Sequence, residues 1–284
     1  MKAVLYPNFQ KKNALGCARD VCDVLKQYGI QVSVSSEYIS EFADKTFVLF
    51  EDINEAVKNS DIVIAIGGDG TILRCAKFLI GTDTKLLGIN TGTLGFMAGL
   101  EADQLDKLSQ LKAGKFEISE RMTIDVVIHE KGKDTVFTAL NEVSARSGSF
   151  RICDFEVYSN DYLVGKYRAD GVLFSTPSGS TAYALSAGGP VIEPDLECIE
   201  MTLICPHSLF SRATLFSAER KLKITDRTAG ADSIVISVDG ELNKRIGENE
   251  SIEIMRGRNT LKFVNLIGNS FHESLCRKMC KPIK

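Results

Sequence analysis

Three glycines surround one carboxylate in the segment Gly67-Gly68-Asp69-Gly70-Thr71. Glycine residues let main-chain N–H groups approach a phosphate or a ribose closely. A carboxylate in such a loop can accept a proton from a hydroxyl group. The same residues could instead form a sharp turn in which the aspartate bonds only its own backbone. Taken alone, the segment leaves both a phosphate site and a plain turn open.

A second polar stretch is Thr176-Pro177-Ser178-Gly179-Ser180-Thr181-Ala182-Tyr183, and a helix is predicted around 180–187. Free N–H groups and side-chain hydroxyls at the start of a helix suit a polar ligand. Hydroxyl-rich helix caps also occur without any ligand. The density of hydroxyl groups here favours a ligand-binding loop.

Two further groups of residues are weaker candidates. Asn141-Glu142 ends a strand-like run over 136–145, and its amide and carboxylate could bond a sugar diol or a base edge, although a turn explains the pair as well. Arg151, Lys166 and Arg168 could neutralise a phosphate or could be solvated surface charges.

The elements around these residues predict two domains. The apolar run 61–66 is typical of a strand buried on both faces, and Thr71 is expected to cap a helix over 72–80. Strands and helices alternate up to about residue 115, which predicts a parallel sheet covered by helices. Short strands separated by turns follow, among them separate strands at 251–255 and 261–266, and these favour an antiparallel sandwich.

The predicted fold is therefore an N-terminal Rossmann-like parallel α/β domain, 1–116, followed by an antiparallel β-sandwich domain, 117–266. Residues 267–284 are predicted to pack back on the first domain. With little spacer between the domains, the ligand site is expected in the cleft between them.

Composition excludes several classes of protein. The 284 residues are 44% hydrophobic and 25% charged, as in globular proteins, and the net charge of −3 argues against a nucleic-acid binder. The sequence contains no run of 18 apolar residues, so no membrane span is predicted. Met1–Pro7 is predicted to form a first strand rather than a signal peptide. The eight cysteines include no Cys-x-x-Cys, so reduced thiols in a cytoplasmic protein are expected, with the pair Cys276 and Cys280 unexplained.

The motifs in combination resemble the NAD kinase family. The resemblance is carried, in the family's order, by Gly67-Gly68-Asp69-Gly70-Thr71, Asn90-x-Gly92-x-Leu94-Gly95-Phe96, Asn141-Glu142, Asp170-Gly171 and the stretch 176–183. It implies ATP-dependent phosphorylation of NAD at the 2′-hydroxyl of the adenosine ribose, giving NADP. It also implies Mg²⁺ or another divalent cation with ATP, and a homodimer or homotetramer.

The resemblance implies a role for each matching residue. Asp69 would accept the proton, and Gly67, Gly68 and Arg74 would lie at the phosphates. Contacts to NAD would come from Asp69, Gly70, Phe96, Asn141, Glu142, Arg151, Arg168, Asp170, Ser178, Thr181, Ala182, Tyr183, Ser186 and Glu241. This chain departs from the family's usual residues in having Ser178 for threonine, Glu241 for glutamine and Ala213 for proline.

Two alternatives remain open. A diacylglycerol-type lipid kinase shares the glycine loop, but it would not need the stretch 178–183, and no basic amphipathic helix for a membrane surface is evident. A non-catalytic NAD(P) sensor would keep the pocket without needing Asp69.

Overall fold

The structure is a computed structural model that describes residues 1–92, 95–130, 133–148, 152–227, 234–246, 251–266, 268 and 271–279. The chain forms two compact units, one of residues 1–120 with 261–284 and the other of residues 121–260. Among the residues described, no helix is both long enough and apolar enough to cross a membrane.

The bounds of the elements are as follows. The strands are β1 (Lys2–Pro7), β2 (Gln31–Ser35), β3 (Val48–Glu51), β4 (Ile62–Gly67), β5 (Lys85–Asn90), β6 (Leu100–Glu101), β7 (Glu117–Glu130), β8 (Lys133–Ala139), β9 (Glu142–Ser147), β10 (Cys153–Ser159), β11 (Tyr162–Ala169), β12 (Gly171–Ser175), β13 (Cys198–Ile204), β14 (Thr214–Ser217), β15 (Leu222–Asp226), β16 (Ile234–Val238), β17 (Glu241–Arg245) and β18 (Ser251–Asn265). The helices are α1 (Ala14–Gln27), α2 (Ile53–Lys58), α3 (Asp69–Ala76), α4 (Ser109–Ala113), α5 (Tyr183–Ser186) and α6 (Phe271–Met279), with 3₁₀ turns at Ser36–Tyr38, Ser40–Phe42, Leu105–Leu108 and Ser178–Thr181.

The first unit is built on a parallel sheet in the order β3-β2-β1-β4-β5. Strand β4 is buried along its whole length, as its run of β-branched residues predicts. The C-terminal end of β18 lies parallel to β5, with Phe263 opposite Leu86. Apolar residues of the sheet and of α1 form one core. The parallel pairing of β4 with β5, which sets Gly67 opposite Asn90, places the carboxyl ends of these strands side by side.

Helix α3 begins earlier than its predicted start at residue 72. It starts at Asp69, with Gly68 as the N-cap, and ends at Ala76. Thr71 therefore does not cap the helix but is buried inside it, where its Oγ1 accepts a hydrogen bond of 3.1 Å from Nδ2 of Asn8. A Cβ atom at Gly67 would lie 2.5 Å from that Oγ1, so the strand can reach the helix this closely only through glycine.

The second unit is a sandwich of antiparallel sheets. One sheet has the order β14-β13-β12-β9-β16-β17, and the other includes β11-β10-β15 and the first part of β18. Apolar side chains from both sheets form a separate buried core that includes Phe155 and Phe174. The predicted fold class, a Rossmann-like α/β region followed by a β-sandwich, is confirmed.

Two of the strand predictions beyond residue 120 are wrong. The run 136–145 is not one strand, because β8 and β9 are separated at Leu140 and Asn141, whose N–H groups bond the carboxylate of Asp239 instead of a neighbouring strand. Asn141-Glu142 thus lies at the start of β9 rather than at a strand's end. The segments 251–255 and 261–266 belong to a single strand, β18, which Gly257 allows to pass close to Thr123.

Candidate active site

Asp69 lies at the carboxyl end of β4, in the first turn of α3. This is the edge at which open α/β sheets bind ligands. A negative charge in the first turn also interacts favourably with the helix dipole. The position is therefore suited to a carboxylate that faces a ligand.

Two backbone groups hold the Asp69 carboxylate. Its Oδ2 accepts the N–H of Phe96 at 2.9 Å and its Oδ1 accepts the N–H of Met97 at 3.2 Å. A Cβ atom at Gly95 would lie 2.1 Å from Oδ1, so this arrangement requires glycine there. The Asp69 side chain is 36% exposed, and the carboxylate is thus oriented by the fold and still open to a ligand.

Asn90 and Gly92, from the motif that begins at Asn90, shape the loop after β5. The Nδ2 of Asn90 donates to Oε2 of Glu101 at 2.8 Å, and its Oδ1 accepts the N–H of Gly92. Burial raises the pKa of Glu101, and the hydrogen bond from Asn90 opposes that rise. Thr93 and Leu94 of the motif lie outside the described residues.

Lys278 is a site residue that the sequence analysis missed. Its Nζ, on α6, lies 3.7 Å from Oδ2 of Asp69 and 3.8 Å from the centre of the Phe96 ring. The positive charge of the neighbouring Arg277 opposes the rise in the pKa of Glu101. In the sequence, only the adjacent basic residues Arg277 and Lys278 could have drawn attention to this position.

Two other predicted residues of the first unit, Gly70 and Arg74, make no described contact with the Asp69 carboxylate. Gly70 lies in the first turn of α3, where a Cβ atom would meet open space. Arg74 is exposed in the last turn, where its charge acts on Tyr6 and Tyr38. The structure thus brings Phe96 to Asp69 and leaves Arg74 on the far end of the helix.

Asp239 organises the polar site of the second unit. Its Oδ1 accepts the N–H groups of Asn141 at 2.8 Å and Glu142 at 3.2 Å, and its Oδ2 accepts that of Leu140 at 3.0 Å. Asp239 and Gly240 both have positive φ and form the tight hairpin between β16 and β17. Glu241 follows on the exposed start of β17.

The hydroxyl-rich stretch packs directly on the same backbone. The hydroxyl of Thr176 donates to the carbonyl of Leu140 at 2.6 Å and accepts the N–H of Gly179 at 3.1 Å. A Cβ atom at Gly179 would lie 2.1 Å from the carbonyl oxygen of Asn141. Thr176 and the fully buried Ser180 therefore serve the structure of the loop.

The remaining residues of the stretch are nearer to solvent. Ser178, Thr181, Ala182 and Tyr183 are half-buried, and Ser186 is exposed at the end of α5. The hydroxyl of Thr181 donates to the carbonyl of Ser178 at 3.3 Å.

Glu142 and Tyr183 line one cavity of about 450 Å³, together with Arg146, Arg245 and small residues of β9 and β16. Burial and then the nearby charge of Asp239 raise the pKa of Glu142 to about 7, while the N–H of Tyr183 bonds its charged form and opposes the rise. Oδ1 of Asn141 and Oε2 of Glu142 are buried without a hydrogen-bond partner within the described part of the chain. Since buried polar atoms are normally bonded, these two oxygen atoms make the place suitable for binding a polar ligand.

Arg168 and Asp170 do not line that cavity. Arg168 lines a different cavity of about 600 Å³ with His207 and Arg212, and its Nε lies 3.7 Å from Asp154. Asp170 is exposed between β11 and β12. Arg151 lies outside the described residues.

An α/β unit with an exposed carboxylate at a strand end, followed by a sandwich with a polar pocket, suits an enzyme that binds nucleotides. The family model described as the ATP-NAD kinase N-terminal domain matches residues 4–114, and the model of the C-terminal domain matches residues 140–266. The chain therefore belongs to the ATP-NAD kinase family. The predicted enzymatic activity, ATP-dependent phosphorylation of NAD, is confirmed at the level of this family.

Individual relatives support the same family assignment. The NAD kinase of Acetivibrio thermocellus is 34% identical over 98% of this chain and 97% of its own length. That of Moorella thermoacetica is 33% identical over 96% of this chain and 87% of its own. Among solved structures, an NAD kinase from Archaeoglobus fulgidus in complex with ATP aligns with a TM-score of 0.71, 25% identity and 94% coverage of both chains. A yeast NADH kinase complexed with NADH shares the fold, with a TM-score of 0.90 at 21% identity, over 100% of this chain and 89% of that one.

Proposed function

We propose that this chain transfers the γ-phosphate of ATP to the 2′-hydroxyl of the adenosine ribose of NAD, with Asp69 as the general base. The observation that supports this role most directly is the geometry of Asp69. Two backbone N–H groups orient its carboxylate, which is nevertheless 36% exposed at a strand end flanked by glycines.

The chemistry needs a base because a ribose hydroxyl is a poor nucleophile near neutral pH. As the 2′-oxygen forms its bond to the γ-phosphorus, its proton passes to Asp69 and the bond from the γ-phosphorus to the bridging oxygen of ADP breaks. ADP leaves, and NADP carries the new phosphate. The rest of the catalysis is positioning and charge neutralisation.

We assign the binding of NAD in the second unit to Asn141, Glu142 and the loop 178–183. This assignment is supported by the buried oxygen atoms of Asn141 and Glu142, which have no hydrogen-bond partner among the described residues, and by the cavity that Glu142 lines. The proposed contacts of Gly70, Phe96, Arg151, Arg168, Asp170, Ser186 and Glu241 stay predictions from the family resemblance, as does the placing of Gly67, Gly68 and Arg74 at the phosphates.

ATP enters as its Mg²⁺ complex in this proposal. The described residues contain no group of three acidic, histidine or cysteine side chains that could hold a metal ion. Mg²⁺ commonly binds through substrate phosphates and few protein ligands, so the cation would arrive with ATP and be held chiefly by its phosphates. We further propose a homodimer or homotetramer, and a cytoplasmic location in keeping with the free cysteines of the described residues.

The test is an assay of the purified protein with NAD, ATP and Mg²⁺ in which the product is consumed by an NADP-specific dehydrogenase. Because that enzyme requires the 2′-phosphate, a positive rate establishes both the activity and the phosphorylated position. The proposal is contradicted if NAD is bound without turnover, as in a sensor, or if a diacylglycerol is phosphorylated in its place.

A further inference from the structure

The C-terminal helix α6 brings a cation to the proposed base. Nζ of Lys278 lies 3.7 Å from Oδ2 of Asp69, and the same ammonium group lies over the ring of Phe96 at 3.8 Å from its centre. Both Phe96 and Asp69 belong to the first unit, as Lys278 does. The lysine is therefore fixed from two sides, by a charge and by an aromatic face.

The distances leave the ammonium group able to bind a third partner. At 3.7 Å the pair with Asp69 is longer than a hydrogen bond, so Asp69 does not use the N–H donors of Lys278. A ring face likewise attracts the charge without consuming all three donors. The side chain is 25% exposed, which removes much of its water while leaving it open on one side.

This inference rests on the proposed function of Asp69. If Asp69 takes the proton of the attacking hydroxyl, the γ-phosphorus must lie next to that hydroxyl oxygen. A cation 3.7 Å from the carboxylate is then within reach of the γ-phosphoryl oxygens. Asp69 and a triphosphate repel each other, and a lysine between them offsets that repulsion.

We propose that Lys278 contacts the γ-phosphoryl group of ATP and neutralises its charge during transfer, with Phe96 as the platform that aims the ammonium group. Lysine binds phosphate as a point charge, and cations directed at a transferring phosphoryl group are a main source of rate in such reactions.

The test compares Lys278→Met and Lys278→Arg with the full-length wild type. Lys26→Met is the matched control, because Nζ of Lys26 also lies over a phenylalanine ring, that of Phe47, at 4.3 Å. Steady-state kinetics give KM for ATP and for NAD separately. Calorimetry gives the affinity for Mg²⁺-ADP and for the non-hydrolysable Mg²⁺-AMP-PNP, which differ in the third phosphate.

For Lys278→Met we expect kcat/KM for ATP to fall about 10²-fold. The KM for NAD should stay unchanged. The affinity for Mg²⁺-AMP-PNP should fall, whereas the affinity for Mg²⁺-ADP should not. Lys278→Arg should recover most of the loss, and Lys26→Met should behave as wild type.

The inference is overturned if Lys278→Met keeps wild-type kinetics, if it is more active, as release of an inhibitory latch would be, or if ADP and AMP-PNP weaken equally. Asp69→Asn in the same assays separates the two proposals. Loss of turnover there with no effect of Lys278→Met would reject the lysine alone, whereas retained turnover in Asp69→Asn would reject the base.

Discussion

A Cβ atom on residue 95 would lie 2.1 Å from Oδ1 of Asp69 and 2.9 Å from its Cγ. The glycine at this position is what allows the backbone N–H groups of Phe96 and Met97 to reach the carboxylate. Asp69 and Gly95, which are 26 positions apart in the chain, thus act together to orient a single carboxylate.

Gly95→Ala should therefore impair catalysis by turning the Asp69 carboxylate away from its two N–H donors. Since misplacement of a catalytic group by about 1 Å can cost ~10²-fold, we expect a loss of that order in kcat, with NAD affinity retained. Gly16→Ala, on an open face of α1, is the control and should keep full activity with equal or higher thermal stability. Unchanged kcat in Gly95→Ala would show that the carboxylate orientation is immaterial.

Asp239→Asn should destabilise the second unit. The buried carboxylate accepts three backbone N–H groups at 2.8–3.2 Å, and an amide cannot accept on both sides. Hydrogen bonds to charged groups contribute about 1.5–3 kcal/mol, so we expect a loss of that order in the free energy of unfolding in urea. Asp161→Asn, in an exposed turn with positive φ that asparagine tolerates equally, should be neutral. Equal stability of the two variants would reject the organising role of Asp239.

Glu142 should make stability depend on pH. Its pKa is raised from 4.5 to about 7 by burial, so the folded protein binds more protons than the unfolded chain between those values. The free energy of unfolding should accordingly fall as pH rises through this window, by up to about 3 kcal/mol. Glutamine does not titrate, so Glu142→Gln should lack the part of the pH dependence that comes from Glu142. The difference in the free energy of unfolding, variant minus wild type, should therefore be more favourable to the variant at pH 8 than at pH 4. Parallel pH profiles of the two proteins would contradict the raised pKa.

Local patterns were sufficient for the loop around Asp69. A run of β-branched residues followed by glycines predicts a buried strand and a close turn without knowledge of any distant residue. The assignment of Thr71 as a cap failed because its partner is Asn8, which follows the end of the neighbouring strand β1. Parallel strands bring together residues that are far apart in the sequence, and the local pattern of apolar residues does not predict such contacts.

Long-range contacts also explain the two site residues that were missed. Asp239 interrupts the pairing of residues 140–141 from 98 positions away, which is why the run 136–145 was predicted as a single strand. Lys278 belongs to a short helix whose own pattern says nothing about where the helix packs. Both residues act through groups that only the folded chain places beside them.

The most direct test of the central claim is the turnover of Asp69→Asn, measured as NADP formed from NAD and Mg²⁺-ATP, beside the calorimetric affinity for NAD. Asparagine preserves the size of the side chain, accepts only one of the two N–H groups of Phe96 and Met97, and cannot take the proton. General-base catalysis contributes typically ~10²–10⁴-fold, so kcat should fall by that amount while NAD binds as in wild type. Turnover within a few-fold of wild type would show that another group accepts the proton.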